Sequence, residues 1–444
     1  MILGADVGGT FTDLVLVDGG SVTTAKISTS EIQGDAIVEG LERLTDGDPV
    51  DVFVHGTTVA TNALLERAGA RVALVTDSGF EDIVEIGRQD RPSLYDPFVD
   101  RPEPLVARTD RIGVKGTPET IAVGGVEAVA ISLVDGHTEW EREASLGDAV
   151  GADVPISRSS VVAPEFREFE RTSTTVLNAY LAPITSRYLS ALEERMVGSG
   201  RVGSMAVMRS SGGLMSAVDA ATLPVAVLLS GPAGGVVAAR EFASALGIDH
   251  VISFDMGGTS TDVCRIVGGA IDVSYERSVA GYVCRMASAG IHTVGAGGGS
   301  VAWIDPGGSL RVGPRSAGSQ PGPACYHRGG TEPTVTDANV VLGRIDPETM
   351  LGGTLPIDAE AAERAVSVLA SDLGISTIDT ALGIVVIAEE VMAGAIRSVS
   401  IEQGSDPRGA SLLAFGGAGG LHAVSLARSL SMASVIIPPF GGVL

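Results

Sequence analysis

Asp6-Val-Gly-Gly-Thr-Phe-Thr-Asp13 recurs as Asp255-Met-Gly-Gly-Thr-Ser-Thr-Asp262, 249 residues further along a chain of 444, with six of the eight positions identical. A repeat at that distance marks a duplicated structural unit. Each copy follows a short apolar run, residues 2–5 and 251–254, and the first leads into the apolar residues 14–17. Strand, glycine turn, strand is the simplest reading. Residues 21–28 and 269–279 then extend each hairpin, so two lobes are expected, each opening with an antiparallel meander.

The glycines give this turn its chemistry. Gly-Gly-Thr between two strands lets backbone N–H groups approach an anion with no Cβ in the way, and the threonine hydroxyl adds a donor. Phosphate is the natural ligand. A flanking aspartate would repel phosphate directly, so its useful role is to hold Mg²⁺ or the ion's water shell beside the β- and γ-phosphates. One such loop could be a structural hairpin; two at the heads of two lobes point to a phosphate clamp.

Composition agrees. A hydrophobic fraction of 45% supports two or three domains with large cores. A net charge of -24 repels nucleic acid and anionic lipid, so neither is an expected partner. Lys26 and Lys115 are the only lysines and neither lies in a glycine loop; no Gly-x-x-x-x-Gly-Lys-[Ser/Thr] occurs, which excludes a P-loop. Phosphate must therefore be held by main chain and metal. No apolar stretch is long enough to span a membrane, the N-terminus has no secretory pattern, and the cytoplasm is the expected compartment. Cys264, Cys284 and Cys325 lack paired spacing and read as core thiols.

Further along, residues 171–196 carry apolar side chains at helical intervals and read as helices crossing between the lobes. Residues 90–104 hold four prolines and read as a long surface excursion. Residues 376–403 form a long helix candidate. A strand at 411–415, a turn Gly416-Gly-Ala-Gly-Gly420 and a helix at 421–430 follow, and that turn is placed to contact a nucleoside. Ser230-Gly-Pro-Ala-Gly-Gly235 precedes an apolar helix expected at 236–246, as an anion site or a structural turn. Gly295-Ala-Gly-Gly-Gly299 implies a close backbone approach or a hinge.

These motifs resemble the acetate-kinase, sugar-kinase, heat-shock-chaperone and actin superfamily. With His55-Gly-Thr-Thr-Val-Ala-Thr-Asn62, Gly79-Phe-Glu-Asp82, residues 253–263, 295–301 and 315–326, and Thr334-Val-Thr-Asp-Ala-Asn339, the chain is more narrowly similar to the hydantoinase A family. That family includes N-methylhydantoinase, ATP-dependent 5-oxoprolinase and ATP-using subunits of acetone and acetophenone carboxylases. The resemblance implies an α/β protein of two ribonuclease-H-like lobes with the actin-like ATPase fold and an interlobe nucleotide cleft. Residues 1–172 would form the first lobe and 173–444 the second. Family members usually continue into another C-terminal domain, so a fragment or natural short form is expected here. Val134-Asp-Gly-His-Thr-Glu139 departs from the family pattern, and no role is carried over to it.

The implied activity is ATP-dependent hydrolysis of a cyclic amide or imide of the hydantoin or 5-oxoproline type, through phosphorylation of the carbonyl. A hydantoinase B-like second subunit and an oligomeric assembly are expected. The ATP-using subunit of a carboxylase is the nearest alternative, and a nucleotide-gated scaffold the third. Asp6 and Asp255 are assigned to Mg²⁺ and, with Thr10 and Thr259, to catalysis. Gly8, Gly9, Thr10, Thr12, Gly257, Gly258, Thr259 and Thr261 are assigned to the phosphates, and Asp13 and Asp262 to orienting the loops. Gly416, Gly417, Gly419 and Gly420 are assigned to the nucleoside. His55, Thr57, Thr58, Asn62, His292, Asp337 and Asn339 are candidate substrate contacts. For His55 and His292 a hydrogen-bonded structural role competes; for Asp337 and Asn339 the competitor is helix capping.

Overall fold

A computed structural model describes residues 1–7, 11–28, 33–151, 153–348, 350–351 and 355–443. The chain divides into two compact units, one of residues 1–233 with 273–288, the other of residues 234–272 with 289–444.

The first unit opens with β1 (Ile2–Val7), β2 (Phe11–Asp18) and β3 (Ser21–Ser28), an antiparallel meander; β4 (Val50–Gly56) then runs parallel to β1. β5 (Val72–Asp77), β6 (Arg111–Val114), β7 (Ala128–Ile131) and β8 (Ile156–Arg158) form a separate parallel sheet. β9 (Val202–Met208) returns to the first sheet parallel to β4, and β10 (Leu214–Ser216) adds an antiparallel edge. The first sheet thus has the order β10-β9-β4-β1-β2-β3. Alternate residues of β1 (Leu3, Ala5 and Val7) enter the core beside Ile37, Leu41 and Phe53, leaving the other face for polar groups.

The second unit repeats the plan. β11 (His250–Met256), β12 (Thr261–Val267) and β13 (Ala270–Ile271) form its meander. The strand Ser411–Phe415 lies parallel to β11 where β4 lies against β1, and Ser434–Ile436 follows it. The third strand is much shorter than the sequence predicts. The chain turns at Gly268 and Gly269, both at positive φ, pairs for two residues and leaves; the strand His292–Val294 takes up the rest of that edge. Cores lie on both faces of the sheet. One gathers Ile252, Phe254 and Leu412 with the helix Thr377–Val399, the other Val251, Leu413 and Val236.

Several expectations hold closely. The strand at 411–415 is observed as expected, and the long helix begins at an N-cap Ser376 whose hydroxyl accepts from the Asp379 N–H. The 90–104 excursion carries no regular structure, and Leu94, Tyr95 and Phe98 are 77–96% exposed on it. All three cysteines are buried and free.

Three expectations are corrected. Residues 168–193 form one helix, Glu168–Glu193, contained in the first unit, where it packs on β7 and on the helix Val59–Leu65. A boundary at 172/173 would cut that helix; the compact units separate at 233/234. Apolar periodicity reveals burial but not which core receives it. The helices expected at 236–246 and 421–430 begin at Ser230 and Gly416, taking their glycine runs as first turns. Tertiary packing has overridden the low helix propensity of glycine. Among the described residues no helix is long and apolar enough to cross a membrane.

Candidate functional site

Across β3, β2, β1 and β4, one row of paired residues reads Lys26, Asp13, Asp6, Gly56. Two carboxylates directly opposite each other on one sheet face repel. The Lys26 ammonium offsets this, lying 2.6 and 2.7 Å from the two oxygens of Asp13. Asp6 reaches solvent but is crowded by protein; that crowding, and then the Asp13 charge, push its carboxyl up to about 6, with Lys26 opposing. Water at the exposed side screens part of that push. Small residues approach it closely. A Cβ at Gly56 would lie 2.8 Å from Asp6 Oδ1, and one at Gly231, in the first turn of the helix Ser230–Ala245, would lie 3.4 Å from it. Gly8, Gly9 and Thr10 lie outside the described residues.

In the second unit the corresponding row reads Thr293, Asp262, Asp255, Phe415. A hydroxyl replaces the ammonium: Thr293 Oγ1 donates to Asp262 Oδ1 at 2.5 Å. Burial raises the Asp262 carboxyl above the usual range, and that hydrogen bond opposes the rise. Gly416 begins the helix Gly416–Ser429 at φ +78°, where a Cβ would fall on the Asp255 carboxylate and lie 2.6 Å from the Met256 carbonyl. A Cβ added at Gly419 would lie 3.5 Å from the Phe254 carbonyl, whereas Gly417 is exposed and a Cβ there would meet nothing within 4 Å. Close packing thus explains Gly416, while Gly417 leaves the helix start open to a ligand.

The 257–260 turn is held from behind. Gly257 N donates to Ser260 O at 3.0 Å, and Gly258 and Thr259 project outward with N–H groups that have no partner among the described residues. Gly298 N and Gly299 N donate to the carbonyls of Gly257 and Gly258 at 3.0 and 2.6 Å, and a Cβ at Gly297 would lie 2.7 Å from the Gly258 backbone. The 295–299 run is therefore a close backbone approach. Thr336 fixes it in turn, its N–H and hydroxyl both donating to Gly298 O at 2.8 Å.

Several candidate residues occupy supporting positions instead. Thr12 and Thr261 hold equivalent register positions, opposite Val7 and Met256, and both are fully buried. Thr261 donates to Ala296 O at 2.5 Å, which ties its hydroxyl to the main chain beside the 295–299 run. His55 is also fully buried, with Nε2 2.9 Å from the Tyr188 hydroxyl and its ring stacked on Phe53. Its Nδ1 is buried without a hydrogen-bond partner among the described residues. Burial lowers the His55 pKa to about 4. Thr57 is buried, while Thr58 donates to Val7 O at 3.0 Å and accepts from Asn62 at 3.5 Å. The His55–Asn62 stretch thus braces the end of β1.

Asp337 is fully buried in a capping box, accepting from the N–H groups of Thr334, Ala324 and Cys325 and from the Thr334 hydroxyl. Asn339 joins Val335 O to His422, whose other ring nitrogen is 3.0 Å from Glu389. His292 is exposed opposite Val263, one position from Thr293, so it faces away from Asp262. The capping competitor describes Asp337. Sequence reading missed Lys26, Thr293 and Gly56; extending the duplicated motif along its neighbouring strands is the signal that finds the first two.

The arrangement suits a metal–nucleotide complex. Among the described residues no cluster of three His, Cys, Asp or Glu side chains is built to cage an ion. Mg²⁺ needs no such cage when it keeps several waters and takes one or two carboxylates with phosphate oxygens. Asp6 in the first unit and Asp255 in the second are each a carboxylate of the kind such coordination uses, and Gly258 and Thr259 present free N–H groups for an anion.

Comparison with known proteins agrees with this construction. Residues 171–444 match the family described as hydantoinase/oxoprolinase, and residues 2–123 match its N-terminal region. The chain is 37% identical to the caprolactamase subunit alpha of Pseudomonas jessenii, over 98% of this chain and 68% of that one. It is 34% identical to the acetophenone carboxylase gamma subunit of Aromatoleum aromaticum, over 97% of this chain and 65% of that one. The crystal structure of the ATP-dependent caprolactamase from Pseudomonas jessenii superposes with a TM-score of 0.89 at 36% identity, covering all of this chain and 70% of that one.

Proposed function

Because this chain belongs to the hydantoinase/oxoprolinase family, we propose that it is the ATP-using component of an enzyme that opens a cyclic amide or imide of the hydantoin or 5-oxoproline type. The observation that carries this reading is the duplicated carboxylate row, with each inner aspartate set against a helix-start glycine: Asp6 beside Gly231 and Asp255 beside Gly416.

An amide carbonyl is a poor electrophile. In the proposed reaction its oxygen attacks the γ-phosphorus of ATP and ADP leaves, giving an O-phosphorylated imidate. Water then adds to the imidate carbon, the tetrahedral adduct expels the protonated ring nitrogen as the amine to leave an acyl phosphate, and a second water hydrolyses that acyl phosphate to the acid and inorganic phosphate. The first step requires no strong general base, because the carbonyl oxygen is already a nucleophile; positioning and charge neutralisation supply most of the rate. Asp6 and Asp255 would hold Mg²⁺, which neutralises phosphate charge when bound. Gly258 and Thr259 would donate backbone N–H groups to phosphate oxygens, and Gly417 would admit the nucleoside to the helix start.

The chain would act with a hydantoinase B-like second subunit. Its likeness to a carboxylase gamma subunit supports a second reading, in which the same clamp activates bicarbonate or an enolisable ketone. Mg²⁺-dependent ATP turnover, measured with the partner subunit against hydantoins, 5-oxoproline, lactams and ketones plus bicarbonate, decides between them. A ring-opened acid with stoichiometric ADP is the expected product. Bicarbonate-dependent carboxylation would replace the hydrolase reading, and turnover indifferent to every substrate would remove both.

A further inference from the structure

Arginine in this acidic chain is mostly ion-paired, as in Arg71–Asp110, Arg88–Glu170 and Arg315–Glu332. Arg158 and Arg209 make no ion pair among the described residues, and both line one cavity of about 540 Å³ in the first unit. Arg158 ends β8, and Arg209 directly follows β9 at the tip of the β9–β10 hairpin, where its N–H donates to Gly213 O at 2.8 Å. The Arg209 Nε is buried without a hydrogen-bond partner. An unpartnered buried donor on a charged group is costly unless a ligand supplies the acceptor.

The rest of the lining narrows the ligand. Val161 and Leu214 are more than half exposed at this cavity, offering apolar surface to something beyond the protein itself. Asn178, the buried amide in the wall, is already committed: its Nδ2 donates to Ser157 Oγ at 2.9 Å and Thr222 O at 3.1 Å, and its Oδ1 accepts from Val225 N at 3.4 Å. The two guanidiniums are therefore the groups left to bind an anion. Asp219 also lines the cavity, its Oδ2 accepting from Ser216 Oγ at 2.7 Å. Two arginines and one aspartate leave a single positive charge, which matches a monoanion and disfavours a phosphate dianion. Planar guanidinium groups suit a planar carboxylate.

We propose that this cavity is a binding site for an aliphatic monocarboxylate, its carboxylate taken by Arg158 and Arg209 and its chain laid on Val161 and Leu214. The assignment rests on the cavity lining and is independent of the reaction proposed above.

Calorimetric titration of the full chain with hexanoate, acetate and inorganic phosphate tests the assignment. Saturable one-site binding of hexanoate is expected, at least tenfold tighter than acetate, with no phosphate binding. Arg209→Met and, separately, Arg158→Met should each weaken hexanoate at least tenfold without changing the unfolding temperature by more than a degree or two. Leu214→Asp should weaken hexanoate more than acetate. Mg²⁺-dependent ATP turnover without added carboxylate should stay at the wild-type value in all three variants, so failure of the ATP reading and failure of this one are seen separately. Absence of hexanoate binding, equal binding of phosphate, or hexanoate affinity unchanged in both arginine variants would overturn the proposal.

Discussion

The two units present the same row of four positions and balance its charge differently. Lys26, Asp13, Asp6 and Gly56 in the first unit correspond to Thr293, Asp262, Asp255 and Phe415 in the second. The opposed aspartates are common to both, whereas their surroundings are not. An ammonium neutralises the outer aspartate of the first row; a hydroxyl only hydrogen-bonds that of the second. The glycine beside the inner aspartate is also supplied differently, by the end of β4 in the first row and by the following helix residue, Gly416, in the second. What the duplication keeps is therefore a carboxylate pair with backbone pressed against it. The means of stabilising that pair are free to vary.

Gly416→Ala should break the comparison most severely. The new methyl group would meet the Asp255 carboxylate and the Met256 carbonyl at a backbone angle that alanine rarely adopts. ATP turnover should fall by about 100-fold if the Asp255 carboxylate is displaced, and denaturant melts should show a loss of about 2 kcal/mol. An active and equally stable Gly416→Ala protein would remove the packing argument for that glycine.

Acid sensitivity should belong to the first unit. Position 55 is a buried histidine on β4, whereas Ala414 holds the matching position before Phe415. The folded pKa of His55 is depressed to about 4 from 6.5, so the unfolded chain binds the extra proton between those values. Stability is full above about pH 6.5 and is lost as pH falls toward 4, by up to about 3 kcal/mol. His55→Gln should flatten that limb. Hydrogen exchange resolved by unit should place the acid-induced opening in residues 1–233; opening confined to the second unit would contradict the assignment.

Lys26→Met and Thr293→Val test the two modes of compensation. Removing the ammonium should cost about 1–2 kcal/mol near neutral pH and less in high salt, because an ionic partner of the half-buried Asp13 is lost. Removing the hydroxyl should cost about 1 kcal/mol with little dependence on salt. Matching salt dependences in urea melts would erase the distinction.

On stability, Asp6→Asn gives a small effect of the opposite sign. Its raised pKa makes the ionised carboxylate unfavourable in the folded protein, with the penalty growing as pH rises from about 4 to 6. Nucleotide-free Asp6→Asn should therefore be more stable at pH 7, by about 1 kcal/mol after allowance for solvent screening. A less stable variant would mean that Asp6 is a structural carboxylate.

The sequence made the two meanders legible because one eight-residue motif, set between apolar runs and identical at six positions, recurs at the head of each. It also offered helix capping as one reading of Asp337, which the structure places in a capping box with Thr334. Register across strands was not legible. That Lys26 and Thr293 complete the two rows depends on pairings between segments far apart in the chain or of unequal length. Nor could the residues reveal that the 295–299 glycines support the 257–260 turn, because that close approach is set by tertiary packing. The glycine runs at 230 and 416 read as loops on propensity alone; their role as helix starts follows from neighbours such as Asp6 and Asp255.

Steady-state Mg²⁺-dependent ATP turnover of Asp6→Asn and Asp255→Asn, each assayed beside the wild-type chain with the proposed second subunit, tests the equivalence of the two rows most directly. Both variants should lose at least about 100-fold in turnover while retaining cooperative unfolding. Wild-type turnover in either variant would contradict the account, because one of the two carboxylate pairs would then have no part in the chemistry.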